Sequence, residues 1–156
     1  MKISNGKLYI AYGSNLNLEQ MRRRCPTAEV VGTAVLRDWR LWFRGDSFGA
    51  VATIEREKGF QVPVLVWRIQ PEDELALDRY EGFPFLYRKE TLKITLDGRQ
   101  VHAMVYIMNE AGHPCNQPSA YYFQTILEGY QSAGFDEQTA WDAVKKSMEA
   151  GLCARQ

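Results

Sequence analysis

No stretch of the chain approaches the ~20 consecutive apolar residues that span a bilayer, which argues against a membrane-spanning helix. Its first residues also lack an apolar run of signal-peptide length, so no secretory leader is expected. Neither sign of charge is in excess. Lys plus Arg and Asp plus Glu each number 19, leaving a formal net charge of zero. Such a balance gives no general attraction to nucleic acid or to an anionic membrane surface. Cysteine is scarce. Cys25, Cys115 and Cys153 form no C-x-x-C pair and no regular framework, so a reduced, cytoplasmic protein is expected rather than a disulfide scaffold. Repeats, low-complexity tracts and linkers are missing too, and 156 residues read as a single domain, 1–156. The phosphate-loop pattern G-x-x-x-x-G-K-[ST] does not occur. His102 and His113 stand apart from each other and from any cysteine spacing that suggests zinc, so no metal is expected.

What is present suits an ordinary globular core: 46% of residues are hydrophobic and 12% aromatic. Residues 7–12 are apolar and β-leaning and read as a first strand. Gly13-Ser14-Asn15 breaks it. Asn17 is placed to cap a short helix, with Gln20 three residues on, and that helix ends before Pro26. Arg22-Arg23-Arg24 then fall in its last turn, on the solvated face, where cations suit the dipole. Four strands follow in the pattern, over residues 30–36, 41–43, 50–54 and 62–69. Arg37-Asp38, Gly45-Asp46-Ser47 and Lys58-Gly59 read as the turns between them. Pro63 removes a ladder donor and predicts an edge or bulge.

Pro71 opens a second helix at the favoured first position, with Glu72, Asp73 and Glu74 in its first turn and Gly82 as its stop. Residues 87–96 and 100–108 read as strands around the hairpin turn Asp97-Gly98. Two helices close the pattern, over residues 119–133 and, capped by Asp136, to about residue 148. Strands first and helices last argue for an α+β fold with a mostly antiparallel sheet curled toward a barrel. They argue against a doubly wound sheet, which alternates strands with crossover helices.

Two constellations can carry chemistry. In Tyr12-Gly13-Ser14-Asn15, Gly13 lets the backbone turn sharply and approach a ligand, and successive N–H groups there suit a carboxylate or oxyanion. A plain tight turn explains the same residues. In the second, Glu81 precedes the helix-ending Gly82 among Tyr80, Phe83, Phe85 and Tyr87. The negative end of the helix dipole and aromatic walls would both raise its pKa toward that of a general acid/base. A solvated Glu, or a partner of Arg79 or Arg88, is the alternative. Cys115 beside His113 lacks the third group that orients a nucleophile pair. Trp39, Trp42 and Trp67 read as core, and of Tyr121 and Tyr122 one reads as core and the other as facing a site.

With these motifs the chain resembles the γ-glutamylcyclotransferase family of the AIG2-like, or cyclotransferase-like, superfamily. The landmarks run in order through nearly the whole chain. They are Tyr12-Gly13-Ser14-Asn15-Leu16, Gly49-Ala50-Val51-Ala52-Thr53-Ile54, residues 62–67, Leu77-Asp78 through Glu81-Gly82, and Pro118-Ser119 with Tyr122, Ile126 and Gly129. The resemblance implies a barrel of about six strands with flanking helices. It implies a cofactor-free cyclisation of a small γ-glutamyl substrate to pyroglutamate and a free amine. Glu81 would be the acid/base, with Tyr12, Gly13, Ser14, Asn15, Leu16 and Tyr122 at the substrate. Members are often homodimers, and the residues add no signal of their own. Residues 82–88 resemble the bacterial branch, some members of which act on other γ-glutamyl amines. The departing amine therefore stays open, between an amino acid and another amine or a γ-glutamylated natural-product intermediate. A non-catalytic member that binds a small carboxylate is the reading outside enzymes.

Overall fold

The computed structural model describes residues 6–154. The reading of the first residues as lacking a leader therefore falls mostly outside the described part. The elements are β1 (Lys7–Ala11), a 3-10 turn (Ser14–Leu16), α1 (Leu18–Arg24), β2 (Glu29–Arg44), β3 (Val51–Ile69), α2 (Pro71–Glu81), β4 (Tyr87–Leu96), β5 (Arg99–Met108), α3 (Ala120–Ala133) and α4 (Gln138–Ala154). One five-stranded sheet forms in the order β2-β3-β1-β5-β4. All pairs are antiparallel except β1 with β5, which run parallel. Among the described residues no helix is long and apolar enough to cross a membrane.

The α+β class holds, with five strands among the described residues rather than about six. Four expected short strands are two long ones, β2 and β3, paired from Glu29↔Arg68 to Arg44↔Val51. Gly45-Asp46-Ser47 form the expected turn, between β2 and β3. Arg37-Asp38 and Lys58-Gly59 instead sit at an irregularity within the paired strands. Asp38 sits at φ 65° and Gly59 at φ 91°, and the Gly59 N–H donates to the Asp38 carboxylate at 3.0 Å. Buried positions along β2 are 34 and 36, then 39, 41 and 43. Arg37 pairs with Gln61 and Trp39 with Arg56, so Asp38 alone stands opposite four residues of β3, and this irregularity shifts the phase of β2 without ending it. Pro63 pairs with Val35, while the ladder to β1 starts at Leu65. It therefore has a neighbour strand on one side only, a local edge where a missing donor is tolerated.

The sheet curls until its outer strands approach: a Cβ on Gly32 of β2 would lie 3.0 Å from Leu96 of β4. The far half of β3 meets the other end of the sheet, where the Met108 N–H donates to Thr53 Oγ1 at 3.0 Å. Asn17 Oδ1 accepts from the Gln20 N–H at 3.1 Å and Gly82 ends α2 at φ 64°, both as expected, and Asp136 Oδ1 accepts from the Gln138 N–H at the start of α4 at 3.0 Å. Ser119 Oγ, not foreseen as a cap, accepts from the Tyr122 N–H at 3.1 Å. The last helix runs six residues beyond its expected end. Its buried face is a stripe of small residues, Ala140, Ala143, Ser147 and Gly151, which leaves no large apolar side chains to mark its full length. Ser147 Oγ accepts from the Phe43 N–H of β2 at 2.9 Å.

Candidate active site

A cavity of about 220 Å³ opens where the end of β1, the start of β3, the end of α2 and the start of α3 converge. Tyr12, Gly13, Ser14 and Asn15 line it, with Glu81 and Tyr122. Leu16 is not among the lining residues. It is fully buried beneath α3, where Gly129 leaves room for it, and its contribution there is packing. Of the aromatic residues expected around Glu81, Tyr80 and Tyr87 line the cavity, while Phe83 and Phe85 do not and Phe85 is exposed. The lining also includes Tyr9, Val51, Ala52 and Tyr106, none of them singled out as a site residue from the sequence. Among the described residues no group of three or more His, Cys, Asp or Glu gathers as a metal site.

The turn after β1 is held rigidly from several directions. The Trp67 indole N–H donates to the Asn15 carbonyl at 3.1 Å. Asn15 Nδ2 donates to the Tyr9 hydroxyl at 2.8 Å, and Asn15 Oδ1 accepts from Arg24. The Tyr12 hydroxyl donates to the Tyr106 carbonyl at 2.7 Å. Both polar side chains are therefore committed to the scaffold. What the turn can offer a ligand is backbone, since Ser14 and Asn15 begin a 3-10 turn whose first N–H groups have no partner within it.

Ser14 Oγ lies 2.7 Å from the Tyr80 hydroxyl, so α2 is hydrogen-bonded to the turn one residue before Glu81. Tyr122 accepts from the Ala52 N–H at 3.0 Å, and Tyr87 donates to the Ala52 carbonyl at 2.5 Å. These two phenols fasten the far half of β3 over the cavity. Tyr122→Phe leaves the Ala52 N–H without its acceptor and should cost about 1–3 kcal/mol, read as a lowered midpoint of thermal unfolding. Of the paired tyrosines, Tyr121 is exposed while Tyr122 enters the cavity.

The Glu81 carboxyl is pushed up to about 7 by desolvation, which the Arg24 charge partly offsets. The cause is burial among aromatic walls. Arg79 and Arg88, the partners considered from sequence, do not pair with it: Arg88 instead reaches Glu90 and Glu110. A half-ionised carboxyl near neutral pH, facing free backbone donors across a small cavity, can both accept and donate a proton.

Residues 9–124 match the family model described as Gamma-glutamyl cyclotransferase, AIG2-like. The chain belongs to this family. It is 30% identical over 140 residues to the Gamma-glutamylcyclotransferase of Mus musculus, covering 84% of this chain and 73% of that one. It is 30% identical over 136 residues to that of Homo sapiens, covering 81% and 71%. A solved Gamma-glutamyl cyclotransferase superposes with a TM-score of 0.73 at 29% identity, over 85% of this chain and 82% of the other. The protein is thus an enzyme of the γ-glutamylcyclotransferase type, a family whose general chemistry is γ-glutamyl cyclisation.

Within this cyclotransferase, sequence reasoning missed Arg24. Its two neighbours in the run are exposed, as expected, but Arg24 turns inward. Its guanidinium stacks 3.4 Å from the centre of the Tyr80 ring. Thr27 Oγ1 donates to Asp73 at 2.6 Å, which ties the chain after α1 to the start of α2. Without that tertiary contact nothing in the run Arg22-Arg23-Arg24 distinguishes its third member. Tyr106 is likewise a β5 residue with no motif around it. Its hydroxyl donates to Asp78 at 2.6 Å, and Lys89 pairs with Asp78 at 2.8 Å.

Proposed function

We propose that this chain cyclises a γ-glutamyl amino acid, or a related γ-glutamyl amide, to pyroglutamate and a free amine, with Glu81 as the acid/base. The observation that carries the reading is the shared cavity, in which one desolvated carboxyl faces the Tyr12–Asn15 turn. Its volume is that of about seven waters at ~30 Å³ each, the scale of a glutamyl moiety rather than a nucleotide. The ionised Glu81 takes a proton from the substrate's α-ammonium. The neutral amine then attacks the γ-carbonyl carbon. Backbone N–H groups of the turn hold the developing oxyanion. Glu81 returns its proton to the departing nitrogen as the carbon–nitrogen bond breaks. The second proton lost by the ring nitrogen leaves with the amine in its ammonium form.

Intramolecular attack suits so small an apparatus. Holding the glutamyl chain in a ring-like pose removes much of the entropic barrier. The same reading places the enzyme in the cytoplasm, where three unpaired cysteines stay reduced.

The test is pyroglutamate release from a panel of γ-glutamyl compounds across pH. Attack requires the carboxylate, so kcat/KM should rise through pH about 7, the value to which burial pushes Glu81, and then level off. A flat profile between pH 5 and 8.5 would remove Glu81 from the role. Absence of pyroglutamate from every compound would remove the cyclisation itself.

A further inference from the structure

The outer strands of the curled sheet, β2 and β4, come together at Gly32 and Leu96. From the next residue of each strand, Thr33 and Thr95, a groove of about 790 Å³ opens between them. It shares no lining residue with the Glu81 cavity. We propose that this groove receives an extended segment of another protein, one that alternates apolar and acidic residues, as a strand added between β2 and β4. This second site is independent of the cyclisation reading.

Three observations carry it. The groove is lined by residues 33–37 of β2 and 92–95 of β4 without a gap. Side chains alternate across a strand, so a groove on one face would be lined by every second residue. An unbroken run follows the strand edges themselves. Those edges are free. β2 pairs only with β3 and β4 only with β5, and among the described residues no backbone hydrogen bond joins β2 to β4. Each strand therefore turns a row of backbone N–H and C=O groups to the groove, a template on which an extended peptide adds by main-chain hydrogen bonds. Next, the lining is divided in chemistry. Ala34, Leu36, Leu92 and Ile94 are buried and make an apolar floor, while Arg37 and Lys93 are exposed beside them. Arg56 of β3 adds a third cation, laid over the Trp39 ring at 4.6 Å. A strand set between these edges turns alternate side chains to the floor and to the rim. Finally, the cations are unanswered. Among the described residues no Asp or Glu lines the groove, and Arg37, Arg56 and Lys93 form no ion pair. In a chain of zero net charge this is a local surplus that acidic side chains along the rim would neutralise. Single-stranded nucleic acid fits less well, because its bases stack on open rings and Trp39 is buried beneath Arg56.

Charges on an edge strand also keep other chains away. Protection of that kind alone predicts that no peptide binds. The probe is a short capped peptide alternating valine and glutamate, titrated into the full chain in a calorimeter beside the same peptide with lysine for glutamate. The acidic peptide should bind at least about tenfold more tightly, and rising salt should narrow the difference. N-methylation of its central amides removes ladder donors and should weaken binding by about tenfold or more. On binding, amide exchange should slow in residues 33–37 and 92–95 together. In the double variant Arg37→Gln, Lys93→Gln the preference for the acidic peptide should fall to within about threefold of none. No binding of the acidic peptide at about 1 mM, or equal binding of the lysine peptide, would overturn the assignment. So would undiminished binding after N-methylation, slowed exchange in other elements only, or an unchanged preference in the double variant. Tighter binding of an oligothymidylate would give the groove to nucleic acid, and slowed exchange that grows with the concentration of the protein alone would give it to a second copy. Either result would overturn the proposal. If the double variant does not fold, the peptide pair and the exchange pattern decide.

Discussion

Glu81→Gln should lower kcat/KM for pyroglutamate release by about 10²- to 10⁴-fold and at the same time stabilise the protein above neutral pH. The loss of rate is the usual contribution of a positioned acid/base group. The gain in stability follows from the carboxyl's raised pKa. Below its ordinary value of 4.5 the group is protonated in both folded and unfolded chains, and burial carries no ionic penalty. Between 4.5 and about 7 the unfolded chain ionises while the folded one keeps its proton, so stability falls as pH rises. Above about 7 the penalty is complete, at about 3 kcal/mol. Glutamine has the same shape and no charge to bury. Thermal unfolding at pH 8.5 should therefore place the variant several degrees above the wild type, and at pH 4 the two should coincide. A variant equally stable at both pH values would show that the carboxyl is solvated. A variant with undiminished turnover would end the acid/base assignment.

Gly129→Ala should damage the site from behind. A Cβ at this position of α3 would lie 2.5 Å from Leu16 Cβ and 2.7 Å from the Leu16 carbonyl carbon. Alanine is the better helix former by about 1 kcal/mol. That gain is outweighed, because the clash involves backbone atoms of the 3-10 turn, and overpacking of this kind costs about 1–3 kcal/mol. Relief requires α3 to move outward or the turn to move toward the cavity. The second displaces Ser14 and Asn15, whose N–H groups the proposed chemistry needs aligned. We expect a lowered unfolding midpoint and a kcat that falls further than the small stability loss explains. Gly134→Ala is the contrast. It sits at φ 75° with open space around it, so it should show a strain cost in stability and full kcat.

Much of the fold was legible along the chain because its signals are local. The cap at Asn17, the stop at Gly82 and the Asp97-Gly98 hairpin are short-range patterns, and each formed where it was expected. The strands were misdivided because Asp38 and Gly59 carry turn chemistry in their own neighbourhoods. Whether such residues reverse a chain or bulge it depends on what pairs alongside. For Asp38 and Gly59 the neighbour is the other, 21 residues away, and they satisfy each other. The end of α4 was missed for a related reason. Small residues bury against β2 without leaving an apolar stripe to read.

The candidate site divides the same way. Glu81 before a helix-ending glycine, and Tyr12-Gly13-Ser14-Asn15 after a strand, are recognisable as residues in order, because the chemistry they suit is written in residue type and local spacing. Which groups surround them is not. Desolvation of Glu81 is a property of the walls that Tyr12 and Tyr122, from distant parts of the chain, complete around the nearby Tyr87. The commitment of Asn15's side chain to Tyr9 and Arg24, the burial of Leu16 under Gly129 and the inward turn of Arg24 are equally non-local. Sequence determined the candidate carboxyl and the turn that faces it. Tertiary packing alone decided the carboxyl's pKa, which neighbours hold the turn, and the placing of Arg24 against Tyr80, since burial and electrostatics sum over whatever the fold brings near.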